Sequence, residues 1–243
     1  MKQVLHKIIA WSVGIIFLLI IDVQGLTPLR LVNYGSMLNA QPTASFVLTD
    51  EQNLLLRKKL ADEEINLIKE YSSEYGIDYR LILAIIEQES QFDNEAQSSR
   101  GATGLMQLMP VTSAEVAENL DLKESTISGG NIKSGIFYFA KLSELFNRTS
   151  REDQLSLTLA AYNAGPSRIY DAQELAAYMG ENPSKWSAIQ KVLPLLSKRY
   201  YSLHQSVWGD GKPPNGYFGS WRQTITYVQN TLKIYQDYVQ NRS

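Results

Sequence analysis

The residue with the clearest chemical potential is Glu89, in the segment 79–90, whose pattern predicts a helix. Counting back from it at helical spacing gives an apolar stripe made of Ile82, Ile85 and Ile86. A carboxyl group held against apolar surface has its charged form disfavoured, which raises its pKa. A carboxylic acid that stays protonated near neutral pH can donate its proton to a leaving oxygen, as the general acid of glycoside cleavage does. Glu89 is therefore a candidate catalytic acid.

The same helix also supports a simpler interpretation. Asp78 can cap its start, and Glu87 points to nearly the opposite side from Glu89, where we expect it to be solvated. A glutamate at a helix end can bend into water or accept a hydrogen bond without any catalytic role. On this helix alone the structural role of Glu89 is favoured.

Two later segments carry further candidates. The loop 98–110 contains glycines that allow a tight turn and close approach of the backbone to a ligand, and beside them stand Met106 and Gln107. The helix end at 160–166 places Asn163 next to a glycine break. Each of these pieces has an ordinary structural explanation when taken singly, as a loop glycine, a core methionine or a helix cap.

Composition narrows the chemistry that the chain can perform. It has no cysteine, which excludes disulfides, thiolate metal sites, cysteine nucleophiles and a lipid-modified N-terminal cysteine. Only two histidines occur, His6 and His204, so the residues needed for a histidine-ligated metal site or a serine–histidine triad are nearly absent. A net charge of -2 argues against a nucleic-acid partner, because such domains are usually basic. Acid–base chemistry by carboxyl groups remains.

The N-terminus predicts export. Basic residues precede the uncharged apolar run 8–21, as in a secretory signal peptide or a membrane anchor, which we assign to residues 1–25. Residues 26–48 lack a clear period and are predicted to be a linker. Residues 49–243 form the expected catalytic domain, located in the periplasm or cell envelope, with possible membrane association through the N-terminus.

The pattern over 49–243 predicts a mainly α fold. Apolar spacing indicates helices over 50–60 and 61–74, and no segment shows convincing strand alternation. Turn signals stand at 75–76, 128–130 and 165–166.

Four motifs, taken in order, carry a family resemblance: Glu89-Ser90-Gln91-Phe92, Gly104-Leu105-Met106-Gln107, Ala161-Tyr162-Asn163-Ala164-Gly165 and Tyr227-Val228. This set resembles the goose-type lysozyme superfamily, specifically the soluble lytic transglycosylase (SLT) catalytic domain. The resemblance spans roughly residues 70–241. It implies a lysozyme-like helical domain with a substrate groove. One departure is Gln223-Thr224, where the family usually has Glu-Thr, and this puts one structural salt bridge or cap in doubt.

The resemblance also implies roles for individual residues. Glu89 would be the acid/base, Ser90 would help to position it, and Tyr227 would hydrogen-bond to it. The implied sugar subsites are lined by Ser98, Met106 and Gln107, with Tyr162 and Asn163 on the opposite wall.

The reaction implied by the resemblance is cleavage of peptidoglycan glycan strands between N-acetylmuramic acid (MurNAc) and N-acetylglucosamine (GlcNAc). The muramoyl 6-hydroxyl would close an internal 1,6-anhydro ring, so no activated water, metal or cofactor is needed. Two alternatives stay open at this point, namely hydrolysis of the same bond by water and a non-catalytic peptidoglycan-binding module.

Overall fold

Helices make up nearly all of the regular structure in a computed structural model that describes residues 50–119 and 127–240, and no strand occurs within those ranges. The ten α-helices, in chain order, are α1 (Asp50–Lys59), α2 (Asp62–Glu74), α3 (Tyr79–Ser90), α4 (Pro110–Asn119), α5 (Ile127–Glu144), α6 (Arg151–Ala164), α7 (Pro166–Tyr178), α8 (Trp186–Val192), α9 (Tyr201–Trp208) and α10 (Trp221–Gln240). Two 3₁₀ turns, Leu193–Leu196 and Lys198–Tyr200, join α8 to α9.

The predictions for the N-terminal segment concern residues before α1. The expected signal peptide or anchor (1–25) and linker (26–48) lie outside the described residues. Within the part of the chain that is described, no helix combines the length and apolar character needed to cross a membrane.

Local sequence signals account for most of the helix ends. α1 and α2 confirm the helices predicted over 50–60 and 61–74. The Asp78 carboxylate accepts the backbone N–H of Arg80 at 3.0 Å and so caps α3, as expected. The break at 165–166 is also confirmed, because Gly165 takes a φ of +86° and Pro166 opens α7.

The turn predicted at 128–130 is wrong, because these residues lie in the first turn of α5. Glycine near the start of a helix is outweighed by the packing of the residues that follow. In α5 these include Ile132, Ile136 and Phe139, all essentially inaccessible to solvent.

The helix that carries Glu89 lies at the centre of the core. Every residue of α3 from Arg80 to Ile86 is buried, and the helix contacts both α2 and α10. Burying a single isoleucine or leucine side chain contributes about 1.5–3 kcal/mol, so this run fixes α3 firmly.

The last helix, α10, packs against both α3 and α6. It contacts both of them through a buried face of four residues, Thr224, Tyr227, Val228 and Thr231. The spacing of these residues, at i, i+3, i+4 and i+7, is that of one helix face. The result is that Tyr227 faces α3 near Glu89, while Thr224 reaches the end of α6.

Candidate active site

The Glu89 carboxyl emerges from an apolar wall. Ile82, Ile85 and Ile86 are each 0% exposed, and Glu89 itself is half-buried in the last turn of α3. Loss of water around the carboxyl raises its pKa from 4.5 to about 7, which confirms the environment predicted for it. A carboxyl with this pKa is substantially protonated at neutral pH.

The hydroxyl of Tyr227 is fully buried beside this carboxyl. It lowers the pKa of Glu89, opposing the larger effect of burial. Burial, and after it the charge of Glu89, raises the pKa of Tyr227 well above its usual value. No group within the described residues meets the Tyr227 hydroxyl at ordinary hydrogen-bond geometry. The Tyr227 hydroxyl and the Glu89 carboxyl are therefore close enough to shift each other's pKa, without a hydrogen bond of ordinary geometry between them.

Tyr162 connects Glu89 to the glycine-containing loop. Its hydroxyl donates a 2.8 Å hydrogen bond to the carbonyl oxygen of Met106. Burial raises the pKa of Tyr162 well above its usual value, and the charge of nearby Glu89 raises it further. The structure thus brings Tyr162, Tyr227 and Glu89 together, as the motifs had indicated.

The loop that carries Met106 is held by Asn131 of α5. The Asn131 side chain accepts the N–H of Met106 at 2.8 Å and donates to the carbonyl of Thr103 at 2.9 Å. Gly104 takes a φ of +76°, and a Cβ added there would lie 2.7 Å from the Asn131 side chain. Glycine is therefore required on both conformational and steric grounds.

Four of the residues assigned to positioning or sugar binding use their polar groups or bulk to support the protein itself. Ser90 donates to the carbonyl of Ile86, and Ser98 accepts the N–H of Ala102. The Gln107 amide donates to the carbonyls of Ala96 and Gly104. Met106 is 0% exposed. Their roles towards a sugar stay predictions.

Two adjoining cavities form an open groove beside Glu89. The first, about 480 Å³, is lined by residues from the end of α3 and from α10: Gln88, Glu89, Arg222, Gln223, Thr226, Tyr227 and Asn230, with Asn163 from α6. The second, about 350 Å³, shares Asn163 and Gln223 with the first and extends to Arg100 and Arg168. Below they are called the first and second cavity.

Comparison with known proteins identifies the domain. Residues 66–183 match the family described as Transglycosylase SLT domain. This segment belongs to the SLT family. Over 172 residues the chain is 34% identical to membrane-bound lytic murein transglycosylase F of Desulfosudis oleivorans. The alignment covers 70% of this chain and 35% of the relative. The protein of the same name from Cellvibrio japonicus is 35% identical over 171 residues, covering 69% of this chain and 32% of that one. The chain spans about a third of the length of these relatives.

Solved structures agree with this assignment. An inactive glutamate-to-glutamine mutant of lytic transglycosylase Slt from Pseudomonas aeruginosa superposes with a TM-score of 0.53 at 26% identity, covering 77% of this chain and 25% of that one. The 70-kDa soluble lytic transglycosylase in complex with bulgecin A superposes with a TM-score of 0.51 at 24% identity, covering 77% of this chain and 26% of that one, which shows the fold. The mainly α, lysozyme-like fold predicted for the SLT domain is confirmed.

The family match ends before α10, yet α10 supplies much of the groove wall. Four of its lining residues, Gln223, Thr226, Tyr227 and Asn230, follow helical spacing. Sequence reasoning selected only Tyr227 and missed the other three as groove residues. Counting four residues back and three forward from Tyr227 would have found Gln223 and Asn230, and the same spacing from either of these leads to Thr226.

Asn163 stands where the two cavities of the SLT domain meet. It is exposed at the end of α6, and its Oδ1 accepts a 2.8 Å hydrogen bond from Thr224 Oγ1. The contact ties the groove wall of α6 to that of α10. Asn163 therefore lines the first cavity together with Glu89.

One prediction about α3 is wrong. Glu87, expected to be solvated, is half-buried and accepts a 2.6 Å hydrogen bond from the Tyr238 hydroxyl. The reason is that α10 packs on α3 and brings a tyrosine to it, a contact that no local pattern reveals.

Proposed function

We propose that the chain is a peptidoglycan lytic transglycosylase that cleaves the MurNAc-β-1,4-GlcNAc bond and leaves 1,6-anhydroMurNAc ends. The observation that carries the proposal is the position of Glu89, whose pKa is raised to about 7 in the wall of an open groove. The names of the relatives, lytic murein transglycosylases, support the same substrate and reaction.

In the first step Glu89, in its protonated form, donates its proton to the glycosidic oxygen. The bond between C1 of MurNAc and that oxygen breaks, and GlcNAc leaves with a free 4-hydroxyl. The muramoyl ring then carries oxocarbenium-like positive charge at C1. A general acid with a pKa near the operating pH suits this task, because it is still protonated yet transfers its proton readily.

In the second step the Glu89 carboxylate acts as a base. It takes the proton of the muramoyl 6-hydroxyl while O6 bonds to C1, which closes the anhydro ring and regenerates the acid. No water is consumed. Because the nucleophile belongs to the same sugar, the step gains the advantage of an intramolecular reaction.

The groove offers one carboxyl for this chemistry. Among the residues that line the two cavities, Glu89 is the single acidic one. Most glycosidases use a pair of carboxylates, the second of which attacks C1 or activates the water that does so. Here the N-acetyl group of the substrate would stabilise the positive charge at C1, and the 6-hydroxyl would attack it.

The remaining residues act by positioning. Tyr227 would hold the orientation of the Glu89 carboxyl, since its hydroxyl is buried against that group. Tyr162 and Asn163 would form the opposite wall, and Ser98, Met106 and Gln107 would shape the sugar subsites, with Ser90 stabilising the end of α3. No metal or cofactor enters any step.

The proposed site of action is the cell envelope. Residues 49–243 would be the catalytic domain, and residues 1–25 would direct its export, either as a cleaved signal or as a retained anchor. The first word in the names of the relatives, membrane-bound, supports an envelope location.

The test is digestion of purified sacculi, with mass analysis of the released muropeptides. Wild type should release products lighter by one water than those of a hydrolase, and Glu89→Gln should release none while still binding sacculi. Glu95→Gln is the matched control, because it makes the same change at an exposed glutamate six residues away that lines neither cavity; it should cleave normally.

Each alternative gives its own result. Hydrated products would show a lysozyme-like hydrolase, and binding without release by the wild type would show a binding module. Unchanged cleavage by Glu89→Gln would remove the basis of the proposal.

A further inference from the structure

The groove wall is rich in arginine and poor in acidic groups. Arg222 lines the first cavity, and Arg100 and Arg168 line the second. The single acidic residue among the lining residues of both cavities is Glu89, whose raised pKa leaves it largely uncharged below neutral pH. The second cavity therefore carries positive charge that nothing on its own wall neutralises.

Arg168 is held rigidly in that wall. Its guanidinium donates a hydrogen bond to the carbonyl of Gly216 and lies over the ring of Phe218, 5.7 Å from the ring centroid. A guanidinium is a planar fork that matches a carboxylate, and fixing it in advance reduces the entropy lost on binding. These contacts favour recognition of a carboxylate rather than a diffuse attraction.

Asp171, which forms an ion pair with Arg168, accepts its hydrogen bonds from another residue. Asp171 lies 3.9 Å from the guanidinium, but it accepts both the side-chain amide of Asn215 at 2.8 Å and its backbone N–H at 3.2 Å. Asp171 is also absent from the lining of the second cavity. It therefore offsets part of the charge of Arg168 from outside the lining of the cavity, and no ion pair links it to Arg100 within the described residues.

Gln223 is the feature of this chain that makes the cavity receptive to an anion. It belongs to the wall shared by both cavities, at the position where the family pattern usually has glutamate. A glutamate there would place a negative charge in the same wall as Arg100 and Arg168. The neutral amide leaves the arginines available.

We propose that the second cavity is a subsite for a carboxylate carried by muramic acid, with Arg100 and Arg168 as the residues that recognise it. The proposal rests on the proposed function for the identity of the glycan. The carboxylate has two sources in peptidoglycan, the free lactyl group of a peptide-free strand and the stem peptide attached to that group. Because the cavities share Asn163 and Gln223, a sugar bound beside Glu89 can extend such a substituent into the second one.

The test measures binding rather than cleavage, in the Glu89→Gln background. The probes are three glycan fragments of equal length: one peptide-free with lactyl carboxylates, one with these carboxylates converted to methylamides, and one with stem peptides. Arg100→Gln should weaken binding of the carboxylate probes roughly fivefold, as expected for a partly solvated ion pair, and leave the methylamide probe unchanged. Gln223→Glu should act in the same direction.

Two further variants complete the design. Arg148→Gln removes an exposed arginine that lines neither cavity, and it should bind all three probes as the parent does. Arg168→Gln should resemble Arg100→Gln with a larger effect. If Arg168→Gln fails to fold, the Arg100 and Gln223 variants still decide the matter.

The outcomes separate the carboxylate sources and also separate this proposal from the proposed function. If the arginine variants bind only the peptide-free probe more weakly, the lactyl carboxylate is the group recognised. If they bind only the stem-bearing probe more weakly, the stem peptide is recognised. The proposed subsite would be overturned if the arginine variants weakened binding of the methylamide probe equally, if they weakened binding of no probe, or if no probe bound at all. Since affinity is read without cleavage, failure of wild type to release anhydro products leaves this result interpretable.

Discussion

The hydroxyl of Tyr238 donates a 2.6 Å hydrogen bond to the carboxylate of Glu87, and this fastens α10 to the helix that presents the catalytic candidate Glu89. A second tyrosine, Tyr235, donates at 2.8 Å to Asp78, the cap of the same helix. Hydrogen bonds to ionised acceptors are short and strong. The two contacts therefore keep α10 in the place from which Tyr227 faces Glu89.

Removing one of these hydroxyls should loosen that arrangement. We expect Tyr238→Phe to lower the free energy of unfolding by about 1.5–3 kcal/mol, because a bond to a charged group is lost and Glu87 is left half-buried. Denaturant unfolding measures the change. Tyr178→Phe, at an exposed tyrosine, is the control and should be neutral. A Tyr238→Phe protein as stable as wild type would show that the bond contributes nothing.

Activity should depend on pH through Glu89. In the proposed mechanism the protonated carboxyl is the proton donor, so kcat/KM should decrease as pH rises through about 7, the pKa of the group in the folded protein. A rate profile on soluble glycan strands measures this. A rate that stays level up to pH 9 would contradict the assignment of Glu89 as the acid.

Stability should depend on the same group. Its pKa is raised from 4.5 to about 7 by folding, so the folded protein holds the proton more tightly than the unfolded chain. The free energy of unfolding must then decrease as pH rises across this window. Glu89→Gln has no carboxyl to ionise, so its free energy of unfolding should increase by about 1–3 kcal/mol relative to that of wild type between pH 4.5 and pH 8. The lower end of this range allows for solvent at this half-buried group.

The stability of wild type and Glu89→Gln is compared at each pH, so other titrating groups cancel. A constant difference between the two proteins would show that the carboxyl is not desolvated in the fold.

Tyr227→Phe tests the partner of the acid. The Tyr227 hydroxyl lowers the pKa of Glu89, so its removal should raise that pKa further and move the alkaline limb of the rate profile to higher pH. The rate itself should decrease by roughly 10- to 100-fold, because the carboxyl loses its orientation. A decreased rate with an unmoved limb would indicate a purely structural role for Tyr227.

Local periodicity is sufficient to predict the helix of Glu89 and the wall behind it. The cap at Asp78 and the isoleucine stripe depend only on neighbours within two turns, which a sequence displays directly. The raised pKa of Glu89 can therefore be expected from the helix, but the helix alone favours a structural role, and only the other motifs select Glu89 as the catalytic candidate. The order of the motifs then predicts the lysozyme-like fold.

Contacts between distant helices are beyond such reasoning. The environment of Glu87 depends on Tyr238, 151 residues later in the chain, and that of Arg168 depends on Gly216 and Phe218. The helical start of α5 escapes prediction for a related reason, since packing further along the helix outweighs the glycines at 129 and 130. Periodicity describes one helix face at a time, while a groove is made of several.

The last prediction concerns the loop beside Tyr162, where two glycines with similar backbones differ in their surroundings. Gly101 has a φ of +87° with open space around an added Cβ, and Gly104 has a φ of +76° with the Asn131 side chain 2.7 Å away. Gly101→Ala should therefore cost only the backbone strain, about 1 kcal/mol, and Gly104→Ala should cost that plus the displacement of Asn131.

Displacing Asn131 also breaks its hydrogen bonds to Met106 and Thr103, so Gly104→Ala should reduce glycan cleavage as well as stability. A double-mutant cycle separates the two causes. Asn131→Ala should cost less in the Gly104→Ala background than in wild type, because the clash and the bonds have already been lost, whereas it should cost the full amount in the Gly101→Ala background. Additive free energies in both backgrounds would mean that Asn131 does not hold this loop.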